Sequence, residues 1–212
     1  MTRSFFVNAV VAIAAAAAGF ALYKFAIAPK IEPAPATVSA AAPVEKPPVR
    51  TIDSLPHFSL RDRAGDMVSI HSWPDKSLIV NFWATWCAPC RREIPLLSAT
   101  QKTRAAEGFQ VVGIAVDERE NVLKYADDIK LDYPLLIGEQ DGLDALAAFG
   151  VESAAFPITA FTDKQGRIVA VYPGELTAEK LAALLDAVSR VNRGEQTPSQ
   201  ARLAVAQTLD AH

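Results

Sequence analysis

The stretch Ser77-Leu78-Ile79-Val80-Asn81-Phe82-Trp83-Ala84-Thr85-Trp86-Cys87-Ala88-Pro89-Cys90 decides the fold. Its first half is a nearly unbroken apolar, β-rich run, the pattern of a strand buried on both faces. Its second half holds the only two cysteines of a 212-residue chain, two positions apart. The segment after Cys90 reads as a helix, which places Cys87 at a helix N-terminus. Free N–H groups and the positive end of the helix dipole favour a thiolate there over a thiol. Thiolates are the attacking species, and in such motifs the pKa falls from about 8.5 to roughly 3.5–7.5. A C-x-x-C pair in a strand-to-helix turn predicts dithiol–disulfide chemistry with a reactive cysteine at 87.

Other uses of two cysteines fit less well. A haem attachment site needs His after the second Cys, and position 91 is Arg. Structural zinc needs four ligands, and His57, His71 and His212 have no ligand spacing. A disulfide closing so short a ring constrains little of the unfolded chain, because loop entropy grows with loop length. A structural or regulatory disulfide remains the alternative to redox catalysis. No cofactor or metal is expected.

Length and composition fit one domain with extensions. Half the residues are apolar, enough for a sizeable core, and the net charge is −3. With no basic stripe, nucleic-acid binding is not expected. Internal repeats are absent from the sequence.

The N-terminus, residues 1–28, reads as a transmembrane anchor. From Phe5 to Tyr23 the chain is apolar or small apart from Asn8, and Lys24 follows. Nineteen residues suffice for a helix to cross a ~30 Å hydrocarbon core. A cleavable signal peptide is the rival, with Arg3 as the charged start and Ala26-Ile27-Ala28 as the small-x-small site. The apolar run exceeds the usual signal-peptide core, and Pro29 would occupy the first mature position, where its fixed ring fits an extended protease site poorly. An uncleaved anchor is preferred. Arg3 and the amino terminus compete with Lys24 and Lys30, so charge counting leaves the orientation open. Residues 29–50, punctuated by Pro29, Pro33, Pro35, Pro43, Pro47 and Pro48, form an extended, semi-rigid tether.

A globular head spans residues 51–190. Phe58–Leu60 and Met67–Ile70 flank a turn containing Ala64-Gly65-Asp66, which predicts a hairpin. After the Ser77–Trp83 strand comes a helix from about Ala88 to Ala106, with Pro95 expected to kink it. A strand at Phe109–Val116, a helix at Glu118–Ile129, a strand at Pro134–Ile137 and a helix at Leu143–Phe149 follow. Ile158–Phe161 and Ile168–Tyr172 are joined by Asp163-Lys164-Gln165-Gly166, a tight-turn signal. Thr177 N-caps a helix in which Leu181, Leu184, Leu185 and Val188 repeat at helical spacing. Residues 191–212 read as a polar tail, either a weak helix at 199–209 or disordered. Strand–helix alternation followed by a hairpin and a helix predicts an α/β sandwich, one mixed sheet with helices on both faces.

From Ile52 to Arg190 these features resemble the thioredoxin superfamily. Asn81-Phe82-Trp83-Ala84-Thr85-Trp86-Cys87-Ala88-Pro89-Cys90-Arg91-Arg92-Glu93-Ile94-Pro95 and Phe156-Pro157-Ile158-Thr159-Ala160-Phe161-Thr162-Asp163 are similar to motifs of TlpA/ResA-like membrane-anchored thiol-disulfide reductases. The extra strand and helix between about Asp117 and Gly150 match the insertion typical of that group. The resemblance implies Cys87 as the attacking thiolate, Cys90 as the more buried resolving thiol and Glu93, one helical turn further, as a proton-transfer group. A solvated helix charge is the plain alternative for Glu93. Pro157 is implied to be a cis-proline facing the disulfide, with Phe156, Trp86 and Pro89 beside it on the substrate-binding surface. Trp83 and Trp86 are equally readable as core aromatics.

One position departs from plain thioredoxins, which carry a buried Asp where this chain has Asn81. Asn cannot ionise, so Glu93 is the better proton acceptor. The resemblance further implies a bacterial inner-membrane protein with its head in the periplasm, acting on disulfide-bearing envelope proteins of cytochrome c or copper-site assembly. Its electrons would come from a membrane donor of the DsbD/CcdA type. A disulfide oxidase or isomerase and a copper-chaperone or other non-catalytic binding module of the same fold are the alternatives. A thiol peroxidase would need Thr where Ala84 stands, and a copper chaperone would need C-x-x-x-C spacing.

Overall fold

The computed structural model describes residues 52–151 and 155–210. Within them the elements run β1 (Ser59–Asp62), β2 (Met67–Ser69), β3 (Ser77–Trp83), α1 (Ala88–Arg104), β4 (Phe109–Val116) and α2 (Arg119–Asp128). There follow β5 (Leu135–Gly138), α3 (Gln140–Ala148), β6 (Ile158–Thr162), β7 (Ile168–Pro173), α4 (Ala178–Asn192) and α5 (Pro198–Asp210).

The strands form one mixed sheet in the order β2-β1-β5-β4-β3-β6-β7. The central β3 pairs parallel with β4 and antiparallel with β6, and all seven of its residues are buried. That double coverage explains its unbroken apolar sequence. Alternation then sorts the side chains. Ile79 and Trp83 of β3 with Val111 and Ala115 of β4 face α1, α2, α4 and α5. Val80, Phe82, Val112 and Ile114 face the opposite layer, where Ala145 and Leu146 of α3 pack with Leu55, Leu60 and Ile70. The sequence-based sandwich is therefore the observed architecture. The Asp117–Gly150 segment supplies α2, β5 and α3, and β5 fills the place between β1 and β4.

Local chemistry fixes the turns. The Asp62 carboxylate accepts from the Gly65 and Asp66 amides at 2.9 and 3.0 Å, closing the first hairpin. The Asp163 carboxylate does the same for Gln165 and Arg167 at 3.0 and 2.8 Å in the second. Gly113 lies opposite Asn81 in the β3–β4 register. A Cβ there would come within 3.0 Å of the Tyr133 ring and 3.2 Å of the Trp83 indole nitrogen, so any side chain would force these buried aromatics to shift.

Helix α1 runs from Ala88 to Arg104 with Pro95 inside it. Of the two readings of the C-terminal stretch, the helix is the observed one. The C-terminal stretch does not stay apart from the head: residues Pro198–Asp210 are helical, and Ala201 and Val205 are buried in the core with α4 and β7. The two small or branched side chains sit one turn apart, enough for an apolar stripe inside a polar sequence. The proposed anchor at 1–28 and the tether at 29–50 lie outside the described residues, among which no helix is long and apolar enough to cross a membrane.

Candidate active site

The C-terminal end of β3 delivers the chain into the turn Ala84-Thr85-Trp86. Asp117, just past β4, anchors that turn: its carboxylate accepts from the Thr85 amide at 2.9 Å and from the Thr85 hydroxyl. Cys87 is then the N-cap of α1, and its Sγ accepts from the Cys90 amide at 3.3 Å. Pro89 sits in the first turn, where a missing N–H costs nothing. Cys87 and Cys90 are joined as a disulfide with a Cα–Cα distance of 5.3 Å. Cys90 is fully buried, and the exposure of the pair, 4%, belongs to Cys87.

Trp86 and Trp83, alike in the sequence, have different surroundings. Trp86 is 67% exposed and its ring tilts against Phe156 at 6.0 Å between centroids. Trp83 is fully buried and packs against Tyr125 at 5.7 Å. The Phe156–Pro157 peptide bond is cis, as the resemblance implied. The Pro157 carbonyl accepts from the Gly174 amide at 2.8 Å. Trp86 and Phe156 thus form an aromatic edge at the active-site turn.

Glu93 is 1% exposed and is not a solvated helix charge. Its Oε1 accepts from the Asn81 amide nitrogen at 2.7 Å, and its Oε2 accepts from the Leu176 backbone N–H at 2.7 Å. Burial raises its pKa from the ordinary carboxylate value of 4.5 to about 7. The two hydrogen bonds oppose that rise, and the negative charge of Glu175 adds to it. A carboxyl with that affinity gives and takes a proton near neutral pH. Asn81 also donates to the Thr159 hydroxyl at 3.0 Å, tying Glu93 to the strand that follows Pro157.

The Leu176 amide and the Asp117 anchor carry no motif, and Thr159, although inside the Phe156–Asp163 stretch, was given no role in the site. A signal was present for one of them: Asn81 and Thr159 are polar residues within apolar strands, and the β3–β6 register sets them opposite each other. The site accordingly combines a helix-capping sulfur, a second buried sulfur and a buried acid one turn further, with an exposed aromatic edge beside them. That set is equipped for nucleophilic exchange at sulfur with local proton transfer.

A family model described as the AhpC/TSA family matches residues 52–171. Thiol-disulfide oxidoreductase ResA of Geobacillus thermodenitrificans is 31% identical over 145 residues, 68% of this chain and 81% of that relative. The thioredoxin-like protein YneN of Bacillus subtilis is 33% identical over 135 residues, 62% of this chain and 76% of that relative. Among solved structures, a thiol:disulfide interchange protein of the thioredoxin family from Chlorobium tepidum matches with a TM-score of 0.56 and 31% identity. The match covers 64% of this chain and 95% of that one.

Proposed function

The chain belongs to the AhpC/TSA family and is a thiol-disulfide oxidoreductase of the ResA type, and from that premise we propose that it works as a reductase of protein disulfides outside the cytosol. The observation that carries the mechanism is Cys87 at the N-cap of α1, where the Cys90 amide points at its sulfur. The same N–H groups and helix dipole stabilise the Cys87 thiolate once the disulfide is reduced.

Thiolate Cys87 attacks one sulfur of a substrate disulfide. The substrate S–S bond breaks, a Cys87–substrate mixed disulfide forms, and one substrate sulfur leaves as a thiolate. Cys90 then loses its proton to Glu93 and attacks Cys87 Sγ, which expels the second substrate thiolate. The substrate has gained two electrons and the Cys87–Cys90 bond has re-formed. Asn81 cannot take the proton; it holds the carboxyl that does. The exposed Trp86 with Phe156 and Pro157 receives the polypeptide around the substrate cysteine, and Pro89 shapes the turn beneath it. Ala84, fully buried, brings no hydroxyl three residues before Cys87, which sets this chain apart from a thiol peroxidase.

Ala88-Pro89 between the cysteines resembles the Gly-Pro of reducing thioredoxins more than the Pro-His of strong oxidants, which sets the direction. The 1–28 segment anchors the head to the inner membrane, and the 29–50 tether extends it into the periplasm. A membrane donor of the DsbD/CcdA type returns electrons to the disulfide, and the substrates are envelope proteins of cytochrome c or copper-site assembly. The equilibrium potential against glutathione tests the direction. A value near −270 mV, that of thioredoxin, is expected, and a value near −120 mV, that of DsbA, would make the chain an oxidase.

A further inference from the structure

Three consecutive residues of the β7–α4 connector touch the active site. Gly174, at φ +113, where glycine is favoured, donates its amide to the Pro157 carbonyl at 2.8 Å. Glu175 accepts from Arg92 Nε at 2.8 Å and from Arg92 Nη2, a two-pronged ion pair. Leu176 donates its amide to Glu93 Oε2. Arg92 and Glu93 are neighbours on α1, so one side chain clamps the connector from outside while the next receives its N–H inside.

We propose that the Arg92–Glu175 ion pair acts on Glu93 through charge: the connector holds the Glu175 anion beside the buried acid, and Arg92 offsets it there. This assignment rests on the reductase reading, in which Glu93 manages the proton of Cys90. Arg92 and Glu175 are 60% and 34% exposed, and pairs so exposed contribute little to global stability. The effect of this one follows from its location. Glu93 meets Asn81 from β3, backed by Thr159 on β6, and the Leu176 amide and Glu175 from the connector. The buried Tyr133 phenol lies within range of its charge, and Arg92 and the two cysteines share its helix. Among these, with the disulfide closed, Arg92 and Glu175 are the permanently charged groups.

Neutralising either partner therefore moves Glu93 in opposite directions. Arg92→Gln leaves the Glu175 anion offset only by the weaker pull of Lys180 on α4 and makes Glu93 harder to ionise. Glu175→Gln leaves the Arg92 cation uncompensated and makes it easier. The probe is the 13C resonance of the Glu93 carboxyl carbon in the oxidised full-length protein, assigned with Glu93→Gln and titrated against pH. Its midpoint is expected to rise by roughly half a unit in Arg92→Gln and to fall by about as much in Glu175→Gln. Both shifts are expected to shrink in 1 M salt. The acidic limb of single-turnover insulin reduction, where Glu93 must be ionised to accept the Cys90 proton, is expected to move with each midpoint. An unmoved midpoint, or both neutralisations moving it the same way, would overturn the proposal. A parent protein that reduces no disulfide would instead overturn the reductase reading, since the carboxyl titration does not depend on turnover.

Discussion

Asn81 donates its side-chain amide to Glu93 Oε1 at 2.7 Å, so a side chain that cannot ionise holds one that does. The same nitrogen reaches Thr159 at 3.0 Å, and the contact joins α1, β3 and β6 at the level of the active-site cysteines. The Asn81 carbonyl oxygen is buried without a partner among the described residues.

Burial of Glu93 makes stability fall with pH. Below about pH 4.5 the residue is protonated in both the folded and the unfolded chain and contributes no pH dependence. Between pH 4.5 and 7 the unfolded chain releases the proton while the folded one keeps it, so stability drops as pH rises. Above pH 7 the full penalty, about 3 kcal/mol, remains. Urea denaturation of oxidised parent and Glu93→Gln heads at pH 5 and pH 8 is expected to show the variant gaining on the parent by about that amount. Parallel pH dependence in the two proteins would contradict the buried-acid assignment.

Asn81→Asp puts a second carboxyl where an amide now bonds the first. Two carboxylates at that distance do not both ionise, and the pair holds one shared proton to higher pH. The variant is expected to be destabilised at pH 8 by about 2–4 kcal/mol and much less at pH 5. Equal losses at both pH values would place the effect in packing rather than charge.

Trp86→Ala separates recognition from folding. The ring is two-thirds solvent-exposed and tilts against Phe156, so the unfolding free energy is expected to stay within about 0.5 kcal/mol of the parent. The KM for a protein disulfide is expected to rise about fivefold, as for loss of an aromatic anchor. The rate with dithiothreitol as the sole exchange partner should not change. Equal loss with protein and small-molecule partners would remove Trp86 from the substrate surface.

Much of the scaffold is readable locally. The apolar run at 77–83 gives a strand buried on both faces, Phe109–Val116 coincides with β4, and Thr177 caps α4 by accepting from Lys180 at 3.3 Å. Each depends on neighbours in the chain. The surroundings of Glu93 do not: Asn81 is 12 positions away, Leu176 is 83, and Thr159 lies 78 from Asn81. An Arg-Arg-Glu run on a helix looks solvated until the connector folds over it. For helix α5 the local sequence leaves helix and disorder open for the same reason. Among its described side chains Ala201 and Val205 lie in the core, and contact with α4 and β7 decides its place.

Cys87 attacks and Cys90 resolves, and trapping of a mixed disulfide tests that division of labour most directly. The Cys90→Ser head, offered a disulfide-bearing protein, is expected to accumulate a covalent adduct on Cys87, because attack survives and resolution does not. The Cys87→Ser head is expected to form none. An adduct on Cys90 in Cys87→Ser, or none in either variant while the parent turns over, would contradict it.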